Sequence, residues 1–419
     1  MQDAQLGRRM ADIAATRLTE EQVLLIEGPR SVGKSTLLRH LATQAGVEVI
    51  DLDDLDTREA VSRDLRLFAA GDPPVCFDEY QKVPLVLDAI KAELNHAGRP
   101  GRFVLAGSTR FDALPTAAQS LTGRLHRLTL RPFSQGELDR HEEHFLPMAF
   151  ETPKSLVELG PSRVGRDEVI RRVTTGGFPL AVERPTTAAR NRWFDDYVRL
   201  TLERDVRDLS RVRQAAALPQ LLERLAGQTA QVLNVSAAAA SVGLDDRTAD
   251  GYTKLLEAVF LLQRIPAWAR TTSARSALRP KVHLVDSGVA ARLLRLTPEK
   301  LGQRSAVALQ QFGHLLETFA VMEVAKQASW RDDIDGLHHW RTHDGLEVDL
   351  AVERDDGTVI GIEIKAGGRL PGDDFRGLRA LRDQIGEQFV AGYALYLGEH
   401  AYTYEDRLHA LPLDRLWTA

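Results

Sequence analysis

A glycine-rich stretch near the amino terminus has the residue types needed to hold a phosphate chain. It reads Gly28-Pro29-Arg30-Ser31-Val32-Gly33-Lys34-Ser35-Thr36 and fits the spacing G-x-x-x-x-G-K-[ST]. It lies between a predicted strand, Val23 to Ile26, and a predicted helix, Thr36 to Ala45, which is the context that this motif requires. The glycines let backbone amides turn toward phosphate oxygens, and the helix N-terminus adds partial positive charge. We expect the nine residues to bind ATP, with Lys34 on the β- and γ-phosphates and Ser35 on Mg²⁺.

Two acidic residues follow a short apolar run some forty residues behind this loop. Asp78 and Glu79 come directly after Val75-Cys76-Phe77, which reads as a buried strand. An aspartate at such a strand end suits the coordination shell of Mg²⁺, and the next glutamate can orient or deprotonate the attacking water. An Asp-Glu pair in an exposed turn is the alternative, and the distance from the loop favours a catalytic pair.

Three further side chains are candidates for the same site. Ser108 ends the predicted strand Phe103 to Gly107, where it can hold water near the γ-phosphate or simply terminate the strand. Arg124 is a candidate arginine finger, a group that accelerates phosphoryl transfer by about 10³ to 10⁵. Arg204 is its rival, and the alternative for each arginine is a solvated or carboxylate-paired surface side chain.

A second group of charged residues lies near the carboxyl terminus. Two apolar-alternating runs flank Asp356-Gly357, a pattern that predicts a β-hairpin. Folding about Asp356 brings Asp349 nearly opposite Glu363, and Lys365 shares the face of Glu363 because the two are two residues apart. Two carboxylates and an ammonium at one spot suit a metal-dependent phosphodiesterase, with Asp349 and Glu363 on Mg²⁺ and Lys365 positioning water. Glu317, on the preceding helix, is a further candidate ligand, and an ordinary Glu-Lys pair on a solvent-facing strand is the alternative.

The elements that must position these groups change in type along the chain. Predicted strands alternate with helices up to about residue 136, which indicates a parallel sheet covered on both faces. A mostly helical stretch follows, and then three helices, Leu218 to Gln231, Ser236 to Val242 and Arg247 to Val259, precede two candidate wing strands. The last part runs helix (Phe312 to Ser329), hairpin (Leu337 to Ile364), helix and strand.

The order of motifs resembles one known family. From the phosphate loop the chain runs through Gly107-Ser108, Gly123-Arg124, Gly176-Gly177-Phe178-Pro179, Leu202-Glu203-Arg204-Asp205, Leu315-Leu316-Glu317-Thr318 and Glu347-Val348-Asp349 to Leu416-Trp417. This resembles the prokaryotic AAA-superfamily ATPases that carry a C-terminal domain of unknown function, whose tail is similar to PD-(D/E)xK nucleases such as Holliday-junction resolvases. The resemblance implies that Asp349, Glu363 and Lys365 are the D, E and K of that core, with Glu317 as its first acidic residue. Val348 stands where the core has proline.

The expected fold class is therefore α/β and multidomain. We predict an AAA-type P-loop ATPase core with a parallel sheet over 1–136 and a helical lid or linker over 137–216. A winged-helix-like part follows over 217–300, and a restriction-endonuclease-like α/β domain occupies 301–419.

A run of basic residues bears on a possible DNA partner. Arg264 to Lys281 contains Arg264, Arg270, Arg275, Arg279 and Lys281 with no acidic residue between them, where a winged-helix wing would lie. Such a wing can neutralise phosphates without reading sequence. The candidate recognition helix, Arg247 to Val259, is weakly basic, so base-specific reading is not expected. A solvated loop or a surface packed on another domain is the alternative.

Composition limits the remaining possibilities. The 419 residues include 43% hydrophobic and 27% charged residues, with a net charge of −5, which excludes a polybasic nucleic-acid binder and requires any DNA contact to be local. A single cysteine, Cys76, rules out an intramolecular disulfide and fits a cytoplasmic protein. The amino terminus has no apolar run typical of a signal peptide, and no stretch of about 18 apolar residues predicts a membrane span.

Three functions compete at this point. The first is Mg²⁺-dependent ATP hydrolysis coupled to DNA binding or processing through the nuclease-like tail, with a homo-oligomer supplying an arginine in trans. The second is an ATP-dependent switch or scaffold whose tail binds a protein or DNA without cutting. The third is a transcription regulator acting through the winged helix, against which the weak basicity of Arg247 to Val259 counts.

Overall fold

The computed structural model describes residues 7–113, 121–209, 214–269, 275, 278–303 and 305–419. The chain forms two compact units. The first consists of Met1–Phe133, Leu200–Arg213 and Lys254–Leu261, and the second of Ser134–Arg199, Gln214–Thr253 and Leu262–Ala419.

A parallel five-stranded sheet organises the first unit, as predicted. Its strands are β1 (Val23–Glu27), β2 (Val49–Asp51), β3 (Val75–Asp78), β4 (Phe103–Gly107) and β5 (Leu125–Thr129), in the order β2-β3-β4-β1-β5. The strands β1, β3 and β4 are buried at every position, since a central parallel strand is covered on both faces. Because these strands are parallel, their carboxyl ends meet at one edge of the sheet, where the phosphate loop begins.

Helices pack against this sheet and share a hydrophobic core with it. Aromatic and branched side chains such as Phe77, Tyr80 and Phe103 are fully or almost fully buried between the sheet and its helices. The helices of the first unit are Arg9–Leu18, Lys34–Ala45, Leu55–Arg63, Leu65–Ala69, Val86–Ala97 and Val206–Leu209, with a π-helical turn at Thr201–Asp205 and 3₁₀ turns at Tyr80–Lys82 and Phe111–Ala113.

The second unit is built on a mixed six-stranded sheet. Its strands are β9 (Ile334–Arg341), β10 (Glu347–Arg354), β11 (Val359–Lys365), β12 (Phe389–Tyr396), β13 (Tyr402–Glu405) and β14 (Leu408–Pro412), in the order β13-β14-β12-β11-β10-β9. The predicted hairpin over Leu337 to Ile364 is wrong in one respect, because the stretch holds three antiparallel strands rather than two. The Asp-Gly turn joins the second and third of them.

A smaller sheet and a set of helices complete this unit. The small antiparallel sheet has the order β6-β8-β7, with β6 (Gln231–Val232), β7 (Leu262–Ile265) and β8 (Lys281–Leu284), so the two strands predicted for a wing do pair. The helices are Gln135–Asp139, Phe145–Glu151, Pro153–Glu158, Arg166–Thr175, Pro179–Val182, Thr187–Leu200, Leu218–Ala226, Val235–Ser241, Asp246–Ala258 (whose last turn belongs to the first unit), Ser287–Leu293, Pro298–Gly302, Ala306–Ala328, Arg376–Ile385 and Arg415–Thr418, with 3₁₀ turns at Ala215–Ala217, Gly372–Phe375 and Gly386–Gln388. Helix Ala306–Ala328 is buried along most of its length, and it positions Glu317.

Candidate functional site

The phosphate loop leaves the carboxyl end of β1 and enters the helix Lys34–Ala45. The loop turns at Gly28, Ser31 and Gly33, which have φ values of 153°, 61° and 98°. A Cβ at Gly28 would lie 2.1 Å from the carbonyl oxygen of Leu130, so only glycine fits between the loop and the chain after β5. These turns give the loop the shape that a phosphate-binding motif needs before the helix begins.

The Lys34 side chain lies over this loop. Its Nζ donates to the carbonyl oxygens of Gly28, at 3.0 Å, and Pro29, at 2.8 Å, and the residue is 5% exposed. Burial lowers the pKa of Lys34 to about 8, although the carboxylates of Glu79 and Asp78 act in the opposite direction. The ammonium is therefore held within the loop, next to the two predicted catalytic acids.

Ser35 and Asp78 face each other across the start of the helix and the end of β3. The Ser35 hydroxyl donates to the Asp78 carboxylate, which also accepts from the Glu79 amide at 3.0 Å. Burial raises the pKa of Asp78, despite these hydrogen bonds. A hydroxyl and a carboxylate oxygen are the hard ligands that Mg²⁺ takes, with waters and phosphate oxygens filling its remaining positions, so this pair fits the ion.

Glu79 belongs to a hydrogen-bonded trio at the carboxyl ends of β3 and β4. Its carboxylate accepts from the Ser108 hydroxyl at 3.2 Å and from the Gln81 side-chain amide, which also lies 3.2 Å from the Ser108 oxygen. Glu79 itself has φ 51°, an uncommon value for a glutamate and one of the strained conformations that concentrate at functional sites. Since β4 separates β3 from β1, Ser108 lies between the acidic pair and the loop. Gln81 was not predicted, because a glutamine two residues behind an Asp-Glu pair carries no sequence signal.

An unpredicted carboxylate holds the third residue of the loop. The guanidinium of Arg30 donates from Nε to both oxygens of Asp205 at 2.7 Å, and Asp205 is buried. Burial lowers the pKa of Arg30, but the charges of Asp205 and Glu79 and the hydrogen bond to Asp205 together outweigh it, so the net shift is upward. The neighbouring Arg204 pairs with Asp53, beyond β2, at 3.4 Å. The predicted motif Leu202 to Asp205 thus lies at the same sheet edge as the loop.

Arg124 is not brought to its own phosphate loop. Its carbonyl oxygen accepts from the Val23 amide at 3.2 Å, and its side chain donates to Asn95. That places it at the amino end of β1, whereas the loop follows the carboxyl end, about 16 Å away at the rise of a strand. This position therefore rules out Arg124 as an arginine finger for the phosphate loop of its own chain.

The four charged residues predicted near the carboxyl terminus do converge. The register pairs Leu350 with Ile362, so Asp349 and Glu363 lie opposite each other one residue further along. The register of β10 against β9 shifts between Val348 and Ala351, and such bulges re-aim side chains next to functional sites. Asp349 accepts from the Ile364 amide at 2.9 Å, and Lys365 donates to Glu363 at 2.7 Å.

Lys281, from β8, lies inside this cluster. Its Nζ donates to Glu317 Oε1 at 2.7 Å and to Asp349 Oδ1 at 3.0 Å, and it is 2% exposed. Burial alone raises the pKa of Asp349, but the Lys281 ammonium and the Ile364 amide outweigh it, so the pKa is lowered. Burial, together with the Asp349 charge, raises the pKa of Glu317 well above its usual range and that of Glu363 to about 8.

The cluster does not fit the predicted Mg²⁺ site as it stands. The position between Glu317 and Asp349, where the cation would lie, is taken by an ammonium at hydrogen-bonding distance from both. Lys365, expected to position water, is bonded to Glu363 and lies 3.6 Å from Asp374. The predicted residues Asp349, Glu363, Lys365 and Glu317 do lie together, but the sequence pattern could not show that a fifth residue, Lys281, donates to two of them.

The predicted basic wing is corrected in the same way. Lys281 is buried, Arg264 lies 3.7 Å from Asp250, and Arg275 is 2.7 Å from Glu353, so three of its five cations face carboxylates rather than solvent. Arg279 is exposed, and Arg270 lies outside the described residues.

In the part of the chain that the structure describes, we find no helix with both the length and the apolar character needed to span a membrane.

Three family models match consecutive parts of the chain. Residues 20–139 match an AAA domain, residues 166–300 match a domain of unknown function (DUF8612), and residues 312–416 match another domain of unknown function (DUF4143). With the parallel sheet and the loop geometry, the first match identifies residues 20–139 as an ATP-binding P-loop ATPase domain of the AAA type, and the third identifies residues 312–416 as a DUF4143 domain.

Two mycobacterial proteins are similar to this chain over most of its length. The chain is 24% identical over 397 residues to the uncharacterized protein Rv2008c of Mycobacterium tuberculosis and, to the same extent, to Mb2031c of Mycobacterium bovis. The matches cover 94% of this chain and 81% of each relative.

Two solved structures show weaker likeness. The Walker-type ATPase PABY2304 of Pyrococcus abyssi is 14% identical, with 70% of this chain and 97% of that chain covered, at a TM-score of 0.41. The RuvB Holliday junction branch migration motor of Thermotoga maritima is 17% identical, with 66% and 96% covered, at a TM-score of 0.29.

Proposed function

We propose that this chain hydrolyses ATP with Mg²⁺ and uses the cycle as a switch, while its carboxyl-terminal domain binds a partner without cutting nucleic acid. The observation that supports hydrolysis is the anchoring of Glu79 by Ser108 and Gln81 beside the Ser35–Asp78 pair. A base fixed near a metal site and a phosphate-binding lysine is the arrangement that ATP hydrolysis needs.

In the proposed reaction Lys34 leaves the loop carbonyls and contacts the β- and γ-phosphates. Mg²⁺, held by Ser35 and Asp78, would supply neutralisation of the phosphate charge. Glu79 accepts a proton from a water, the water oxygen bonds to the γ-phosphorus, and the bond to the β–γ bridging oxygen breaks to release ADP. Gln81 and Ser108 hold the Glu79 carboxylate in place during the transfer.

Phosphate release by Glu79→Gln tests this assignment. We expect ATP binding to persist while turnover falls by about 10² or more, because the variant keeps the shape but loses the base. Glu59→Gln, an exposed glutamate on the helix Leu55–Arg63, is the matched control and should turn over ATP normally. Equal activity in the two variants would remove Glu79 from the mechanism.

We propose two alternatives for the arginine that completes the site. Arg204 lies at the edge where the loop begins and would act within the chain. Arg124 would need a second copy of the chain. A mixture of the Lys34→Ala chain and the Arg124→Ala chain should regain ATPase activity only if Arg124 acts in trans. A kcat that is lost in Arg204→Ala but kept in Arg124→Ala supports the first proposal.

The proposal that the tail binds without cutting is supported by Lys281. An ammonium at 2.7 and 3.0 Å from two buried carboxyl groups lies where a divalent ion would bind them, and it offsets part of their charge. The competing proposal, ATP-driven DNA processing, requires that ammonium to leave and metal to enter. The basic stretch adds little to that proposal, since its buried or paired cations are not presented to phosphates.

Incubation with linear, single-stranded and four-way DNA, ATP and Mn²⁺ separates the two proposals. We expect unchanged DNA with wild type after long incubation. Nicking that disappears in Lys365→Ala and Asp349→Ala would overturn the non-cutting proposal, and its loss in Lys34→Ala as well would show that the cutting depends on ATP. Binding of the protein to each DNA, measured at two salt concentrations with and without ATP, tests whether DNA is the partner.

A further inference from the structure

A second group of potential ligands lies on β9 and β10, away from the cluster around Lys281. Asp335, His338 and Glu353 each offer one ligand atom, and these atoms all lie within 4.8 Å of one another. The strand pairing explains how they meet. Glu353 pairs with Gly336 and Arg354 with Ile334, which leaves Asp335 as an extra residue in β9, and this irregularity brings its carboxylate toward His338. Glu353 and Asp349 are four residues apart on β10, about 13 Å, so the two groups are distinct.

His338 is the unusual member of the group. It is 7% exposed, and neither ring nitrogen makes a hydrogen bond with any residue that the structure describes. Buried polar side chains almost always have a partner, so a histidine with two unsatisfied nitrogens needs an explanation. A carboxylate oxygen of Glu353, Oε2, lies 3.5 Å from Nε2. A Cβ on Gly336 would lie 2.7 Å from the same nitrogen, so glycine at that position lets the ring lie against the strand.

Arg275 provides the positive charge at this point, but it does not satisfy the histidine. Its guanidinium is 2.7 Å from Glu353 and 4.0 Å from Asp335. The Asp335 and Arg275 side chains are partly exposed, at 57% and 22%, whereas Lys281 in the other cluster is almost completely enclosed. A partly exposed guanidinium is less costly to displace than an enclosed ammonium, because it regains its hydration when it leaves.

We propose that Asp335, His338 and Glu353 bind a divalent transition-metal ion of the zinc class, which displaces Arg275. One imidazole nitrogen with two carboxylate oxygens is a donor set that Zn²⁺ accepts, whereas Mg²⁺ prefers oxygen alone. Bonds of about 2.0 to 2.2 Å require the ligand atoms to close to roughly 3 to 3.5 Å from one another, a movement that exposed Asp335 can supply. Three protein ligands leave the fourth position of a tetrahedral ion for water.

The experiment measures Zn²⁺ binding by calorimetry and the visible spectrum with Co²⁺, using the tag-free full chain without nucleotide. We expect one ion per chain in wild type, with loss of that ion in His338→Gln and Glu353→Gln. His343→Gln, an exposed histidine in the connection between β9 and β10, is the matched control and should bind as wild type does. Arg275→Gln should bind at least about ten-fold more tightly, because the competing cation is gone.

Each outcome decides the proposal. Unchanged stoichiometry in both His338→Gln and Glu353→Gln, or no saturable binding in wild type and Arg275→Gln at millimolar metal, would overturn it. Circular dichroism checks that each variant is folded. If the histidine variant does not fold, a tetrahedral Co²⁺ spectrum in Arg275→Gln supports the site and an octahedral one refutes it. Asp349→Asn should retain the ion, which keeps this result independent of the proposed function.

Discussion

The guanidinium of Arg30 donates to both carboxylate oxygens of Asp205 at 2.7 Å, which ties the phosphate loop to a residue 175 positions later in the chain. Asp205 ends a π-helical turn, Thr201–Asp205. Such turns are rare in proteins as a whole but frequent at functional sites. The segment Leu200–Arg213 belongs to the first unit, between stretches of chain that belong to the second. We infer that changes in the loop on ATP binding reach this segment through the pair.

Replacing Asp205 with asparagine tests that pair. A charge-assisted hydrogen bond contributes about 1.5 to 3 kcal/mol, to be discounted here because the Arg30 side chain is 25% exposed. We expect kcat/KM for ATP to fall by about ten-fold in Asp205→Asn. The control is Asp196→Asn, whose carboxylate pairs with Arg199 at 2.7 Å on the helix Thr187–Leu200 and is 61% exposed, and it should change kcat/KM by less than about two-fold. Similar losses in the two variants would contradict a special role for Arg30–Asp205.

Gln81 is expected to position Glu79 rather than to react itself. In Gln81→Ala the Glu79 carboxylate keeps the Ser108 hydroxyl but loses the amide, so its orientation relaxes. We predict a fall in kcat of about ten-fold with little change in KM, since the interaction matters in the transition state. Steady-state phosphate release measures both constants. The control Gln44→Ala, on the exposed face of the helix after the loop, should behave as wild type. A rise in KM alone in Gln81→Ala would show that Gln81 contributes to ATP binding rather than to catalysis.

The protonation of Lys34 predicts how ATP binding depends on pH. Burial lowers the pKa of Lys34 to about 8 in the free protein, and bound phosphates raise it, so binding takes up a proton above pH 8. Affinity should therefore be constant below pH 8 and weaken above it, by up to about ten-fold per pH unit. Calorimetric titration of ATP from pH 7 to about 9.5 checks this. Lys34→Arg keeps its charge throughout, and any binding it retains should show no such decline; a constant affinity in wild type would refute the prediction.

Removing the ammonium from the carboxyl-terminal cluster has two expected consequences. Lys281→Met leaves Glu317 and Asp349 buried without their counter-ion, which costs about 3 to 5 kcal/mol and lowers the melting temperature by roughly 6 °C or more. The freed carboxylates should then accept Mn²⁺, so the ion should raise the melting temperature of the variant by more than it raises that of wild type. Thermal melting with and without Mn²⁺ measures both effects, with exposed Lys300→Met as the control. Stabilisation of wild type by the same amount would show that Lys281 does not exclude metal.

Much of the architecture follows from local sequence patterns. Continuous apolar runs predict the strands β1, β3 and β4, because a central parallel strand must be buried on both faces, and the spacing of Gly28, Gly33 and Lys34 predicts the loop between strand and helix. The Asp-Gly turn with its alternating flanks predicts that Asp349 faces Glu363, since side chains repeat every two residues on a strand. These features depend on contacts within a few residues or on one hairpin register.

Only the tertiary structure decided which distant groups share these sites. Asp205 meets Arg30, Gln81 joins Glu79 and Ser108, Lys281 enters the carboxylate cluster, and Arg124 lies at the wrong edge for its own loop. No periodicity specifies such pairs, because they depend on how separately formed elements pack. The sequence by itself determined a P-loop that binds ATP; whether the carboxylates near the end of the chain face a metal ion or a buried lysine was determined by the packing of β8 against a strand sixty-eight residues away.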